Sequence, residues 1–256
     1  MKKIIHLSDL HIGHEDCGKN FRRIINRISK TMLPAGNYII VITGDIVNNA
    51  NHEDYTNEAV KGVGLLRKRG YRVLVAPGNH DYGNGADLKK EFVALFKQKF
   101  YGTEDFSWPR LDIIGNTAFI GLDSMAEELH WYDQFFPEGE LGKPQLLSLK
   151  NILGEEKVAK RKKVVYLHHH PFDYKFLMQL KDNDELRNVI SDRVDAILFG
   201  HYHRDGESAG RDYNGTWGIP RCYNAGSSTH KNGNTGFQRI IDLSNDPVKD
   251  HDGKFI

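Results

Sequence analysis

Five short stretches of the chain combine the residue types that hold divalent metals. They are "SDLH" with Asp9 and His11, "TGD" with Asp45, "GNHD" with Asn79, His80 and Asp81, "LHHHP" with His168 to His170, and "GHYH" with His201 and His203. Carboxylate, amide and imidazole donors suit transition ions of intermediate softness, and none of the stretches brings a competing thiolate. Taken singly, each has an ordinary reading: "GD" and "GNH" as turns, the histidine run as buried imidazoles that are hydrogen-bonded. Five together point to a metal centre. Two divalent ions among these donors would keep a net positive charge, which favours an anionic phosphate ester and lowers the pKa of a bridging water.

Each stretch closes an apolar run of strand character. "KKIIHLSD", "YIIVITGD", "RVLVAPGNHD", "KVVYLHHHP" and "DAILFGH" read as strands apolar on both faces, and "RLDIIG" with "TAFIGLD" reads as a hairpin turning at Asn116. Between them, helical periodicity predicts helices around Phe21 to Met32, Tyr55 to Arg69, Asp87 to Lys99, Lys143 to Leu153 and Glu185 to Ser191. The alternation predicts an α/β fold of two packed β-sheets flanked by helices. Late strands without intervening helices, running through "FQRIIDL", are expected to supply the second sheet. In open α/β sheets ligands collect at the carboxyl ends of strands, so residues distant in sequence would meet there. Gly44, Gly78 and Gly200 are expected to mark sharp turns leaving those strands.

The bulk composition names no partner. The chain has 256 residues, 39% hydrophobic and 27% charged, with a formal net charge of +1, so no excess of either sign points to nucleic acid or an anionic membrane. The first residues, "MKKIIHLSDLHIG", break their apolar run at His6, Ser8 and Asp9, unlike a signal peptide, and no stretch approaches the length of a membrane span. Two cysteines, Cys17 and Cys222, are too few for a disulfide framework, which suggests a reducing, cytoplasmic setting. One domain over residues 1–245 is expected, with 246–256 as a C-terminal tail.

In this order the motifs resemble those of the calcineurin-like metallophosphoesterase superfamily: Asp-x-His, Gly-Asp-x-x-Asn, Gly-Asn-His-Asp, a later His before proline, and Gly-His-x-His. "GLDS" at 121–124, the "QLLSLKNIL" segment and "NAGS" at 224–227 are similar to the branch of class III cyclic nucleotide phosphodiesterases and glycerophosphodiesterases. The resemblance implies a four-layer α/β/β/α sandwich and two metal ions drawn from Fe, Mn or Zn. One ion would take Asp9, His11, Asp45 and His203; the other would take Asn79, His169, His201 and the shared Asp45. His169 is preferred to His168 because the family's ligand commonly stands two residues before a proline, here Pro171. The implied reaction is in-line attack of metal-bound hydroxide on phosphorus, with His80 as the catalytic residue that steadies the phosphoryl oxygens or protonates the leaving alkoxide.

Departures from relatives narrow the substrate. Protein phosphatases carry an aspartate and then an arginine where this chain has Asn48 and Asn49, so the charged partner expected to orient His80 is missing. Nucleotide-sugar pyrophosphatases of the lipid A pathway carry arginine where His80 stands. A small phosphodiester, cyclic nucleotide or glycerophosphodiester, is therefore the expected substrate, with no membrane and little role for nucleic acid. A nuclease, a phosphomonoesterase and a noncatalytic protein-binding module stay open as alternatives. The aromatic-rich stretch 100–142, with Trp108, Trp131, Tyr132, Phe135 and Phe136, reads as packed loop, substrate-facing flap or the surface of a homo-oligomer.

Overall fold

The computed structural model describes residues 2–85, 88–125, 138–172, 180–202, 212–229 and 236–253. Among the described residues ten strands form two sheets of five. The first has the order β10-β9-β1-β2-β3, from β1 (Lys3–Leu7), β2 (Tyr38–Thr43), β3 (Arg72–Ala76), β9 (Gln238–Ile241) and β10 (His251–Gly253). The second has the order β4-β5-β6-β7-β8, from β4 (Arg110–Ile114), β5 (Thr117–Gly121), β6 (Lys162–Tyr166), β7 (Ala196–Phe199) and β8 (Arg221–Asn224). Parallel pairs join β1, β2 and β3, and likewise β5, β6, β7 and β8. The antiparallel β4–β5 pair is the hairpin read from the sequence.

Alternation along the strands explains why both faces are apolar. Ile39 and Val41 of β2 point into the core between the sheets, with Leu74, Phe119, Val164 and Leu198. Ile40 and Ile42 point the other way, into a core shared with α1 (Cys17–Thr31), α2 (Glu53–Lys68) and α3 (Lys90–Tyr101). On the far side, Val165 and Ile197 pack with α4 (Lys143–Gly154), α5 (Glu156–Ala159) and α6 (Asn183–Ile190). The result is the four-layer α/β/β/α arrangement. α1 shows the logic locally: Phe21, Ile24, Ile25 and Ile28 recur at helical spacing and are all buried on one side. Each contributes about 1.5–3 kcal/mol by leaving water, and truncating Ile24 to Ala would cost about 2–5 kcal/mol.

The late strands do not build the second sheet, contrary to the sequence-based expectation. That sheet starts mid-chain at β4, and of the late strands only β8 joins it, beside β7. β9 crosses back to lie antiparallel to β1, placing Ile241 in the core between the sheets. The segment expected as a tail contributes β10, paired with β9. Residues 225–229, which follow β8, lie against the carboxyl end of β1, where Ser228 N–H donates to the Ser8 carbonyl at 2.9 Å. At the opposite margin β3 is an edge strand whose outward groups are satisfied by side chains: Arg67 donates to the Val73 carbonyl at 3.1 Å, and Val75 N–H donates to the Tyr101 hydroxyl at 3.2 Å. Trp108 packs edge-on to Phe106 and Tyr101 against this core. Trp131, Tyr132, Phe135 and Phe136 lie outside the described residues.

Candidate metal centre

Register brings the carboxyl ends level. Leu7 of β1 pairs with Ile42 of β2, and Thr43 pairs with Ala76 of β3, so the loops bearing Asp9, Asp45 and Asn79 start side by side. Beyond the strands the first two loops stay linked, with Asp9 N–H donating to Gly44 O at 3.1 Å and His11 N–H to Asp45 O at 3.0 Å. Asp9, His11, Asp45 and His201 have φ values of 50°, 41°, 49° and 69°. Left-handed backbone costs about 1–2 kcal/mol for an L-residue, and it persists where the surroundings over-determine it. Here it turns four donor side chains toward one space.

Two of the three signalled glycines serve a different purpose from the one expected. Only Gly44 has positive φ, at 88°. Gly78 is extended, and a Cβ on it would run into Asp45 Oδ1. On Gly200 a Cβ would stand 2.5 Å from Asp9 Oδ2. Both are glycines because there is no room for a Cβ: the Asp45 carboxylate lies against Gly78, and the Ser8 hydroxyl, then the Asp9 carboxylate, against Gly200.

Asp45 stands at the centre. Its Oδ1 accepts the His80 N–H at 2.9 Å, and its Oδ2 lies 3.7 Å from His11 Nε2 and 3.4 Å from His168 Nε2. His168 is fixed by Nδ1, which donates to the Thr43 carbonyl at 2.8 Å and leaves Nε2 facing Asn79 Oδ1 at 3.2 Å and His201 Nδ1 at 3.1 Å. Asp9 Oδ2 accepts the His201 N–H at 3.1 Å. Three overlapping triads hold their donor atoms within 4.8 Å of one another: His11, Asp45 and His80; Asp9, Asp45 and His168; and His168, His169 and His201. Asp9, His11, Asp45, Asn79, His169 and His201 are thus brought together and buried, while His203 lies outside the described residues.

The sequence reading preferred His169 to its neighbour His168. His168 is completely buried and touches both Asp45 and Asn79, whereas His169 Nδ1 is engaged by the Ser124 hydroxyl at 2.7 Å, with its ring 4.3 Å from that of His201. The triple histidine was the available signal; only the side-chain directions separate its members. His80 Nδ1 lies 2.6 Å from the carbonyl oxygen of Asn48, so a backbone dipole takes the place of the charged partner whose absence the sequence suggested. Asp81 accepts three backbone N–H groups, from Ile46, Val47 and Gly78, and so ties the Asp45 and Asn79 loops together.

The electrostatics call for a cation. Burial alone would raise the Asp45 carboxyl, but His168, then His80 and His11, hold it well below the usual range. Burial opposes a charge on His168, yet Asp45 and then Asp9 push its pKa up to about 9. Asp81, buried beside Asp45, is pushed up to about 7. Two buried carboxylates among imidazoles and an amide, without a thiolate, are a donor set that fits divalent metal ions.

A two-sheet α/β sandwich carrying nitrogen and oxygen donors from both sheets at its strand ends defines a metal-dependent phosphoesterase. The chain belongs to the calcineurin-like phosphoesterase family, whose sequence profile matches residues 2–205. It is 31% identical over 216 residues to a probable cyclic nucleotide phosphodiesterase of Coxiella burnetii, covering 79% of this chain and 76% of that protein. A probable glycerophosphodiester phosphodiesterase of Arcobacter nitrofigilis is 28% identical over 182 residues, covering 65% of this chain and 56% of that protein. Among solved structures, the calcineurin-like phosphoesterase YfkN of Bacillus subtilis superposes with a TM-score of 0.51 at 13% identity, over 93% of this chain and 83% of that one. GAP50, the anchor in the inner membrane complex of Plasmodium, superposes with a TM-score of 0.56 at 12% identity, over 98% and 87%. These two share the fold. Among the described residues no helix is long and apolar enough to cross a membrane.

Proposed function

We propose that the protein is a dinuclear metal-dependent phosphodiesterase acting on small diesters of the cyclic nucleotide or glycerophosphodiester type. The observation that carries this reading is the position of Asp45, whose Oδ2 faces His11 on one side and His168 on the other. One ion would be held by Asp9, His11, Asp45 and His203. The second would be held by Asp45, Asn79, His201 and His168, the last in preference to His169 because His168 Nε2 faces both Asn79 and Asp45. When bound, a pair of divalent ions supplies Lewis acidity and an ionised water near neutral pH. The donor set accepts Fe, Mn or Zn alike.

The chain's own groups do the rest. With Nδ1 held by the Asn48 carbonyl, His80 keeps Nε2 for the substrate side, where it stabilises a phosphoryl oxygen or gives a proton to the departing alkoxide. Asp81 keeps the Asp45 and Asn79 loops at fixed separation through its three N–H contacts. The names of the two curated relatives support diesters over monoesters. The balanced net charge supports a small substrate over nucleic acid. The buried thiols Cys17 and Cys222 support a reducing, cytoplasmic setting.

The test is a screen of purified protein loaded with Mn(II), Fe(II) or Zn(II) against cyclic nucleotides, glycerophosphodiesters, dinucleotides and phosphomonoesters. Turnover of one of the first two classes, lost in Asp45→Ala, supports the proposal. Preference for dinucleotides or monoesters, or turnover that survives Asp45→Ala, overturns it.

A further inference from the structure

Three consecutive residues on the crossing from β8 to β9, 218 to 220 positions downstream, hold the loop that carries Asp9 and His11. Ser228 exchanges two bonds with Ser8: its N–H donates to the Ser8 carbonyl at 2.9 Å, and its Oγ accepts the Ser8 N–H at 3.1 Å. The Ser227 hydroxyl donates to the Asp9 carbonyl at 2.8 Å. The Thr229 hydroxyl donates to the Leu10 carbonyl at 2.6 Å and stands 3.4 Å from that of Asp9. Thr229 is anchored in turn, because Asn20 of α1 donates from Nδ2 to its carbonyl at 2.8 Å. All four of these side chains are buried.

The backbone between Asp9 and His11 needs such partners. Both residues have positive φ, and their N–H groups are taken by the neighbouring loop, at Gly44 O and Asp45 O. The carbonyls of Asp9 and Leu10 are turned toward the segment after β8, where the hydroxyls of Ser227 and Thr229 bond to them. Strained backbone of this kind holds its shape only while its hydrogen bonds are satisfied.

We propose that Ser227 and Thr229 are positioning residues for Asp9 and His11: by holding two carbonyls they fix the turn that aims these donors, and they set the affinity for the first ion alone. This rests on the dinuclear reading above. The donors assigned to the second ion, apart from the shared Asp45, are carried by other loops, on Asn79, His168 and His201.

The experiment titrates metal-free protein with Mn(II) by calorimetry, for wild type, Ser227→Ala, Thr229→Val and Thr229→Ser, with thermal melting of each. Two ions on wild type uphold the dinuclear reading; no binding overturns that reading before any variant is considered. On that basis Thr229→Val should weaken one of the two ions by about 10- to 100-fold, the effect typical of groups that orient metal ligands. The other ion should be unaffected, and Thr229→Ser, which restores the hydroxyl, should return the lost affinity. Should Thr229→Val fail to fold, Ser227→Ala carries the same expectation. A lower melting temperature with both affinities unchanged, or both weakened in parallel, shows a merely structural role and overturns the proposal.

Discussion

His168 Nε2 stands 3.4 Å from Asp45 Oδ2, two buried groups that attract one another. Burial opposes a charged imidazole, but Asp45 raises the His168 pKa to about 9 in the metal-free protein. Below that pH His168 carries a proton, which an ion bound there as proposed would displace. Metal affinity should therefore rise with pH from 7 toward 9, by up to about tenfold per unit, and level off above. Calorimetry in buffers of different ionisation enthalpy should detect at least one proton released per protein at pH 7. Uptake independent of buffer and pH would show that His168 is neutral before metal arrives.

His168 and His169 can be told apart by what each loss removes. His168→Ala deletes a group facing Asp45, Asn79 and His201, and should bind one ion at concentrations where wild type binds two. His169→Ala deletes a ring held by Ser124 and should keep both ions, at a cost to stability, because the ring fills space against Gly139. Metal content after gel filtration, measured by elemental analysis, decides between them. The opposite pattern would restore His169 as the ligand.

Legibility from the sequence followed the range of the interactions. Continuous apolar runs ending in polar donors and helical spacing in α1 are local, and from them the α/β layers and the convergence of Asp9, Asp45, Asn79 and His201 could be read. The choice within His168–His170 could not, because neighbouring positions differ only in side-chain direction, which the Thr43 carbonyl and the Ser124 hydroxyl set from elsewhere in the chain. The return of β9 to β1 was hidden for a similar reason. A strand buried on both faces carries no mark of which sheet it joins, and Ile241 would serve either. "NAGS" was visible as a motif, but its work on Asp9 appears only once the crossing segment is laid over β1.

His80 offers a test of leaving-group chemistry. If it donates a proton to the departing oxygen, His80→Ala should lower kcat by about 10²- to 10⁴-fold for an alkyl diester. For a p-nitrophenyl diester, whose leaving group needs no proton, the loss should be much smaller. Because the Asn48 carbonyl holds the ring, Asn48→Ala keeps that contact and should change kcat little. Equal losses on both diesters in His80→Ala would assign the residue to phosphoryl-oxygen stabilisation instead. A large loss in Asn48→Ala would transfer the orienting role to the amide side chain.

His6 links stability to acid. It lies on β1 beside Arg239 of β9, completely buried, with Nε2 3.0 Å from the Thr43 hydroxyl. Burial, then the Arg239 charge, lowers its pKa from 6.5 to about 3. The unfolded chain therefore binds a proton at this residue between pH 6.5 and 3, and the folded chain does not. The sign follows: the neutral His6 contribution is fully present above pH 6.5 and is lost as pH falls toward 3, with a slope of up to about 1.4 kcal/mol per pH unit. His6→Gln cannot titrate, so although less stable at pH 7 it should lose stability more slowly on acidification. Urea unfolding midpoints of metal-free wild type and His6→Gln at intervals from pH 7 to 4 should converge. Parallel curves would mean that His6 carries its proton in the folded protein, with Arg239 too well screened to prevent it.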